Sequence, residues 1–159
     1  MKHLPKHDRP RWRYLAVELE ADPDVALRRG PFQGALWYAA GNLLGDPGSA
    51  DADLTVVRFE SERGRAEAIV RVRHGETDRA RAALACVTDV DGIRVGLRVR
   101  AKSGTIRACE EKYLGRRPEG PEERTVVFDG ERRPAVVRSE TADVRVDDSV
   151  VGATPRDLK

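Results

Sequence analysis

The sequence has few aromatic residues and no long apolar segment. Aromatic residues make up 5% of the 159 residues and charged residues make up 35%, so we expect one domain with a modest core beneath a highly charged surface. No run of about 18 apolar residues is present, which argues against a transmembrane helix. The basic N-terminus leads into arginine-rich sequence without an apolar region, so it does not predict a signal peptide. We therefore expect a cytoplasmic protein that does not bind membranes.

Cysteine and histidine are also scarce, and their spacing does not predict a catalytic or metal site. Cys86 and Cys109 form neither a CxxC pair nor a Cys/His ligand pattern, and they are better interpreted as buried free thiols in a reducing cytosol. His3, His7 and His74 have no nucleophile or carboxylate nearby in sequence. Walker, HExxH and GxSxG motifs are missing. The sequence predicts no catalytic set and no cofactor or metal held by the chain itself.

Lysine is the rarer cation, with five residues among the 29 lysines and arginines. Arginine binds phosphate with two parallel hydrogen bonds and stacks on bases, so this bias suits RNA binding. A GC-rich genome would produce the same bias without any functional meaning. The net charge is only +2, but residues 1–13 contain five cations and one acid. The basic character is therefore local.

Hydrophobic periodicity predicts the order β-α-β-β-α-β between residues 11 and 101. The first strand starts at Arg11 and ends at Asp22-Pro23-Asp24. A helix over residues 31–44 is followed by a loop over 46–53. The remaining predicted elements are a hairpin of residues 54–60 and 65–73, a helix from Thr77 to about Asp91-Gly92, and a strand over 93–101.

This order predicts an α+β fold, a ferredoxin-like or RNA-recognition-like βαββαβ sandwich with two helices on one face of an antiparallel sheet. An additional helix over residues 103–114 would begin at Ser103 as its N-cap. Many functions share this fold, so the order alone does not identify one. The third strand lacks the aromatic and glycine residues of an RNP1 motif. Any RNA binding would therefore depend on backbone charge and shape.

The sequence changes character after residue 115. We assign residues 1–115 to an RNA-binding domain with a basic arm over 1–10, and residues 116–159 to a charged C-terminal extension. Short β-like runs at 125–128, 135–138 and 143–146 contain too few large side chains for a core. We expect this extension to be loosely attached or disordered, with a small hairpin as the alternative.

Two segments have the residue types that RNA binding requires. In the first, Arg9, Arg11 and Arg13 alternate with Trp12 and Tyr14. Guanidinium groups would pair with phosphates while bases stack on the rings. The alternative is that the two aromatic residues belong to the core at the start of a strand.

The second segment, residues 102–107, joins the last strand to the additional helix. Free N–H groups at a helix N-terminus bind anions. The hydroxyls of Ser103 and Thr105 and the cations Lys102 and Arg107 would add donors. The alternative is an ordinary capped helix.

Together these segments resemble a known family. Residues 9–16 (RPRWRYLA) and 103–108 (SGTIRA), followed by 112–114 (KYL), closely resemble the archaeal and eukaryotic ribonuclease P protein component 2 family. Residues 68–72 and 82–84 also resemble that family's third strand and second helix. The resemblance covers residues 1–115 in the expected order, whereas the extension departs from the pattern and inherits no role.

The resemblance implies an accessory subunit of ribonuclease P, which removes the 5′ leader from precursor tRNA. In this family the particle's RNA holds the catalytic site and its Mg²⁺ ions, and the protein pairs with ribonuclease P protein component 3. The alternatives are an RNA-binding or protein-interaction module outside ribonuclease P, and an enzyme of the same fold with a clustered active site.

The predicted RNA-binding residues combine the two segments with cations of the third strand. None is expected to be catalytic or to bind a metal. They are Lys2, Lys6, Arg9, Arg11, Trp12, Arg13, Tyr14, Arg71, Arg73, Lys102, Ser103, Gly104, Thr105, Arg107 and Lys112.

Overall fold

The computed structural model describes residues 5–115, 122–138 and 141–158. Lys2, His3 and the start of the extension lie outside these ranges. After a short 3₁₀ turn over Lys6–Asp8, the elements are β1 (Trp12–Glu20), α1 (Arg29–Ala52), β2 (Thr55–Glu62), β3 (Arg65–Arg73), α2 (Thr77–Ala85), β4 (Asp89–Val90), β5 (Ile93–Arg94), β6 (Gly96–Ser103), α3 (Ile106–Tyr113), β7 (Glu122–Phe128), β8 (Glu131–Arg138), β9 (Thr141–Val146) and β10 (Ser149–Ala153).

The main sheet has the order β2-β3-β1-β6, and all its neighbouring strands are antiparallel. Alternate residues of β1, such as Leu15 and Leu19, point to one face and are fully buried. Phe32 and Leu36, one helical turn apart on α1, pack in the same core, which α2 also joins. The predicted ferredoxin-like α+β sandwich is confirmed.

The hairpin of β2 and β3 was also predicted, although its loop is shorter than expected. Arg63 and Gly64 both have positive φ, 47° and 74°, as a two-residue turn between twisted strands requires. A Cβ on Gly64 would lie 2.2 Å from the carbonyl oxygen of Asp22. Glycine is therefore needed here both for the turn and for this close approach.

The first helix continues where a loop was predicted. Gly45, with a φ of 70°, interrupts α1, but a second helical segment continues to Ala52. Pro47 lies in the first turn of that segment, where a missing N–H costs no hydrogen bond. The prediction of a loop over 46–53 was wrong because a proline that cannot continue one helix can begin the next.

The prediction was also wrong about the end of α2. This helix ends at Ala85 rather than near Asp91-Gly92. Those two residues, with φ of 56° and 79°, form the turn between β4 and β5. The strand predicted over 93–101 is accordingly divided into β5 and β6, and β6 extends to Ser103.

Side chains of α1 cover the outer edge of β2. The Arg29 guanidinium donates to the Val56 carbonyl from Nε at 3.0 Å, and Trp37 Nε1 donates to the Leu54 carbonyl at 2.7 Å. Gln33 accepts from the Val56 N–H at 2.6 Å and donates to Leu54. Residues four apart lie on one helix face, so three successive turns of α1 bind the edge of this strand.

The face of the main sheet opposite α1 and α2 is partly covered by α3. Cys109 is fully buried there against Ala16 and Ile69, with Tyr14 and Tyr113 at the margin. At the end of this helix, the N–H of Gly115 donates to Glu67 Oε2 at 3.3 Å.

The extension forms a second antiparallel sheet, with the order β10-β9-β8-β7. It has its own small core, in which Ala142 and Val144 are fully buried. The structure differs here from the expected loose or disordered extension, and it exceeds the alternative of a single hairpin. The fully buried side chains are small, all four paired strands contribute to the core, and Phe128 and Leu158 pack at its margin. Arg138 Nε lies 3.1 Å from a Glu20 carboxylate oxygen, which links this sheet to β1.

Candidate RNA-binding surface

The two predicted RNA-binding segments meet at one end of the main sheet. Tyr14 of β1 is paired with Ser103 of β6 on one side and with Arg71 of β3 on the other. Strand pairing therefore places the start of β1 beside the end of β6 and the start of α3. We call this region the basic end, defined as Arg11, Trp12, Arg13, Arg71, Arg73, Lys102 and residues 103–107.

Trp12 is the centre of the basic end. The Arg71 guanidinium carbon lies 4.0 Å from the centroid of its ring, and that of Arg73 lies 5.5 Å away. These distances are in the range of cation–π contacts, in which the face of the aromatic ring attracts the guanidinium charge. Trp12 is half-buried, so it belongs neither to the apolar core nor to a freely exposed stacking surface. At this position Trp12 packs against two arginines at the end of the sheet.

Tyr14 has a different environment from Trp12, although both were predicted to stack on RNA bases. Its side chain is half-buried at the edge of the apolar cluster of Ala16, Ile69 and Cys109. For Tyr14 the structure supports the alternative of a core residue. The alternation along β1 places Tyr14 on the face opposite Leu15, but it does not reveal that α3 packs over that face.

The cations of the basic end differ in how far acidic side chains neutralise them. Arg73 NH2 lies 3.5 Å from an Asp53 oxygen, and Arg107 Nε lies 2.7 Å from a Glu111 oxygen. Within the described residues neither Arg11 nor Arg13 forms an ion pair, and Arg13 NH1 donates to the backbone carbonyl of Trp12 at 3.1 Å. Arg11 and Arg13 are therefore the better candidates for phosphate binding.

The start of α3 is a capped helix terminus. Thr105 is the N-cap, and its hydroxyl oxygen accepts from the N–H of Ala108 at 3.1 Å. The prediction that Ser103 caps this helix was wrong, because pairing with Tyr14 holds Ser103 in β6. Gly104 is exposed and separates the two. Within the described residues this terminus has the geometry of an ordinary capped helix.

The remaining predicted cations lie on the surface. Lys6 and Arg9 are exposed in the arm, Lys102 is exposed at the end of β6, and Lys112 is exposed in the last turn of α3. Lys112 is seven residues from Thr105, so about 10 Å of helix separates these two residues. Lys2 is outside the described residues.

The rest of the sheet face that α3 partly covers contains an ionic cluster that sequence analysis missed. Glu18 is 2% exposed and forms ion pairs with three guanidinium groups. The contact with Arg65 is short, and those with Arg98 and Arg100 measure 2.9 and 2.6 Å. Glu18 lies on the face of β1 that points away from the main core, but its partners come from β3 and β6. The cluster therefore depends on pairing that no local pattern reveals.

This face is the one on which RNA-recognition domains stack bases. Here α3 covers one part and the Glu18 cluster another, and Arg58 of β2 forms a further ion pair with Glu110 of α3. The arrangement agrees with the missing RNP1 residues, because both argue against base stacking on the central strands.

An apolar surface lies away from the basic end, on α1. Trp37, Tyr38 and Leu43 are 55%, 75% and 48% exposed. Tyr38 and Leu43 border a groove of about 660 Å³ between α1 and the segment after α2, which includes Val87. Exposed apolar side chains gathered on one helix are typical of protein-binding sites. The sequence pattern alone did not locate this patch.

Among the described residues, no group of three His, Cys, Asp or Glu side chains is placed to hold a metal ion. None of the helices within the described ranges is long and apolar enough to cross a bilayer.

Comparisons with known proteins match this chain over most or all of its length. The Rpp14/Pop5 family matches residues 13–114. Ribonuclease P protein component 2 of Halorubrum lacusprofundi is 59% identical over 159 residues, with complete coverage of both chains. The protein of that name from Natronomonas pharaonis is 55% identical over 159 residues, covering 100% of this chain and 99% of the other.

A more distant relative and one solved structure are also similar. Ribonuclease P protein component 2 of Methanosarcina acetivorans is 37% identical over 114 residues, which cover 72% of this chain and 82% of that protein. A chain from a cryo-EM structure of yeast ribonuclease MRP aligns with a TM-score of 0.49 and 14% identity, covering 63% of this chain and 79% of that one. The family match and the identities of the curated relatives confirm the resemblance to ribonuclease P protein component 2, and the chain belongs to the Rpp14/Pop5 family.

Proposed function

We infer that this chain is a protein subunit of ribonuclease P and supports the RNA-catalysed removal of the 5′ leader from precursor tRNA. The observation that carries this conclusion is the match over the full length to ribonuclease P protein component 2 of Halorubrum lacusprofundi and Natronomonas pharaonis. The basic end supplies a surface on which such a subunit would bind RNA.

We assign the chemistry of cleavage to the partner RNA and its Mg²⁺ ions. The chain's contribution is electrostatic: Arg11, Arg13, Arg71 and their neighbours would bind phosphates that repel one another when the catalytic RNA is compact. Each phosphate contact releases a condensed counterion. The folded RNA would then need less Mg²⁺ to reach its active form.

We assign ribonuclease P protein component 3 to the apolar groove beside Tyr38 and Leu43. An aromatic side chain that is 75% exposed is costly to hydrate and favours a protein partner. The groove is on α1, whereas the basic end is formed by strand ends and the start of α3. Both partners could therefore bind at the same time, and this would take place in the cytoplasm.

Reconstitution tests the function directly. Ribonuclease P RNA and the other protein subunits would be assembled with and without this chain, and cleavage of precursor tRNA measured over a range of Mg²⁺ concentrations. We expect the chain to lower the Mg²⁺ concentration needed for half-maximal cleavage. An unchanged Mg²⁺ profile would contradict the proposed function.

Two variants separate the two assigned surfaces. Tyr38→Glu should weaken co-purification with component 3 and leave binding to the isolated RNA unchanged. Arg11→Ala combined with Arg13→Ala should do the reverse. If both variants lose the same property, the division of partners between the two surfaces is wrong.

A further inference from the structure

The edge strands of the main sheet are protected against pairing with another chain. An exposed edge presents unpaired N–H and C=O groups, and natural proteins protect such edges with charges, prolines or a covering element. Arg29, Gln33 and Trp37 of α1 form hydrogen bonds with the backbone along the edge of β2. The other edge strand, β6, contains Arg98 and Lys102.

The second sheet has one protected edge and one unprotected edge. Its outer strand β7 begins with Glu122-Glu123-Arg124 and is bridged at Phe128 by Leu158. The opposite edge strand β10 consists of Ser149, Val150, Val151, Gly152 and Ala153. It contains no charge and no proline, and among the edge strands of the described residues it is distinct in this respect.

The small core of the second sheet is open at β10. Val151 is paired with Val144, which is fully buried, yet Val151 remains 38% exposed and Val150 is 63% exposed. A further strand beside β10 would cover Val151 and complete the apolar cluster. Both the backbone and the side chains of β10 therefore favour one additional strand.

We propose that β10 of a second copy of this chain is that strand, paired antiparallel about a two-fold axis at Val151. In this register Val151 of each copy lies opposite its counterpart, which makes a β-branched cross-strand pair. Val150 lies opposite Gly152 of the other copy. The position of a Cβ on Gly152 has no atom within 4 Å, so there is room for the larger side chain.

Charges at the two ends of β10 favour the same orientation. The turn Asp147-Asp148 precedes the strand, and Arg156 follows it on the surface. Antiparallel pairing brings the acidic turn of one copy alongside Arg156 of the other, whereas parallel pairing would place like charges together. A five-residue strand buries less than the roughly 1,200–2,000 Å² of stable interfaces, so the dimer should be weak and reversible. The proposal concerns only the second sheet and does not depend on the assignment to ribonuclease P.

Sedimentation equilibrium of the full chain, from micromolar to millimolar concentration, tests the proposal. We expect a reversible monomer–dimer equilibrium. Val151→Lys should weaken it at least tenfold, because it places two ammonium groups opposite each other. The matched control is Thr125→Lys, which adds the same charge to the protected edge strand β7 and should leave the dissociation constant unchanged. Circular dichroism of each variant would show that the fold is retained.

A charge exchange tests the orientation. Asp148→Lys and Arg156→Glu should each weaken the dimer, and the double variant should restore it. A chain that is monomeric at all concentrations, or a Val151→Lys variant that dimerises like the wild type, would overturn the proposal. The proposal would also be overturned if the wild type were monomeric and yet needed Val151 to assemble into the particle, since β10 would then bind a different protein.

Discussion

The salt dependence of RNA binding should distinguish arginines that bind phosphate from arginines already paired within the protein. Removal of Arg11 and Arg13 together, by substitution with alanine, would delete two exposed or half-exposed cations that form no ion pair among the described residues. If each binds one phosphate, the slope of log K against log salt should become shallower by about 1.4 to 1.8, at roughly 0.7 to 0.9 per contact.

The same assay on Arg107→Ala should give a smaller change. Arg107 already lies 2.7 Å from a Glu111 oxygen, so RNA would have to compete for it. The matched control is Arg132→Ala, an exposed arginine on β8 of the second sheet. Filter binding to ribonuclease P RNA at several salt concentrations supplies the slopes. If the slope of the Arg11, Arg13 double variant equals that of the wild type, then these two residues do not bind phosphate and the basic end is wrongly assigned.

Three further predictions concern the stability and reactivity of the fold. Glu18→Gln should lower the free energy of unfolding by about 3 kcal/mol, measured by urea denaturation, since it removes the carboxylate that pairs with the buried Arg65 guanidinium; a change below a few tenths of a kcal/mol would refute a role of this pair in stability. Thr105→Ala should cost about 1 kcal/mol while Thr105→Ser costs less, because serine can still cap α3; equal losses would contradict the capping role. Burial raises the pKa of the Cys109 thiol, and this exceeds the opposing effect of its hydrogen bond to Ser103. Iodoacetamide should therefore modify the exposed Cys86 first and leave Cys109 unmodified to higher pH, and equal rates at neutral pH would show that α3 does not stay on the sheet.

Local patterns predicted the main sheet because its strands and turns have clear signals within a few residues. Leu15, Val17 and Leu19 alternate along β1, and a polar turn with a glycine joins β2 to β3. Local patterns failed where one residue type has two uses. Pro47 both ends and begins a helical segment, and Asp91-Gly92 closes a hairpin rather than a helix.

The candidate site was predictable to a similar extent. The alternation of arginines with Trp12 and Tyr14 identified the basic end, but it could not separate Trp12, which holds Arg71 and Arg73, from Tyr14, which lies beneath α3. That difference depends on a helix almost a hundred residues later. The Glu18 cluster was missed for the same reason, since its partners come from strands that are distant in sequence. The second sheet pairs only consecutive strands, and it was missed because its short runs contain few large apolar side chains.

The indole of Trp37 shows what an edge-protecting side chain can contribute to binding. Its N–H is fixed on the Leu54 carbonyl at 2.7 Å, yet the residue is 55% exposed. An exposed tryptophan would ordinarily lose rotational freedom when a partner covers it, at a cost of about 0.5 to 1.5 kcal/mol. Here the fold has already restricted the ring while closing the edge of β2. A protein that packs against α1 therefore finds a rigid aromatic surface, and more of the contact energy remains for affinity.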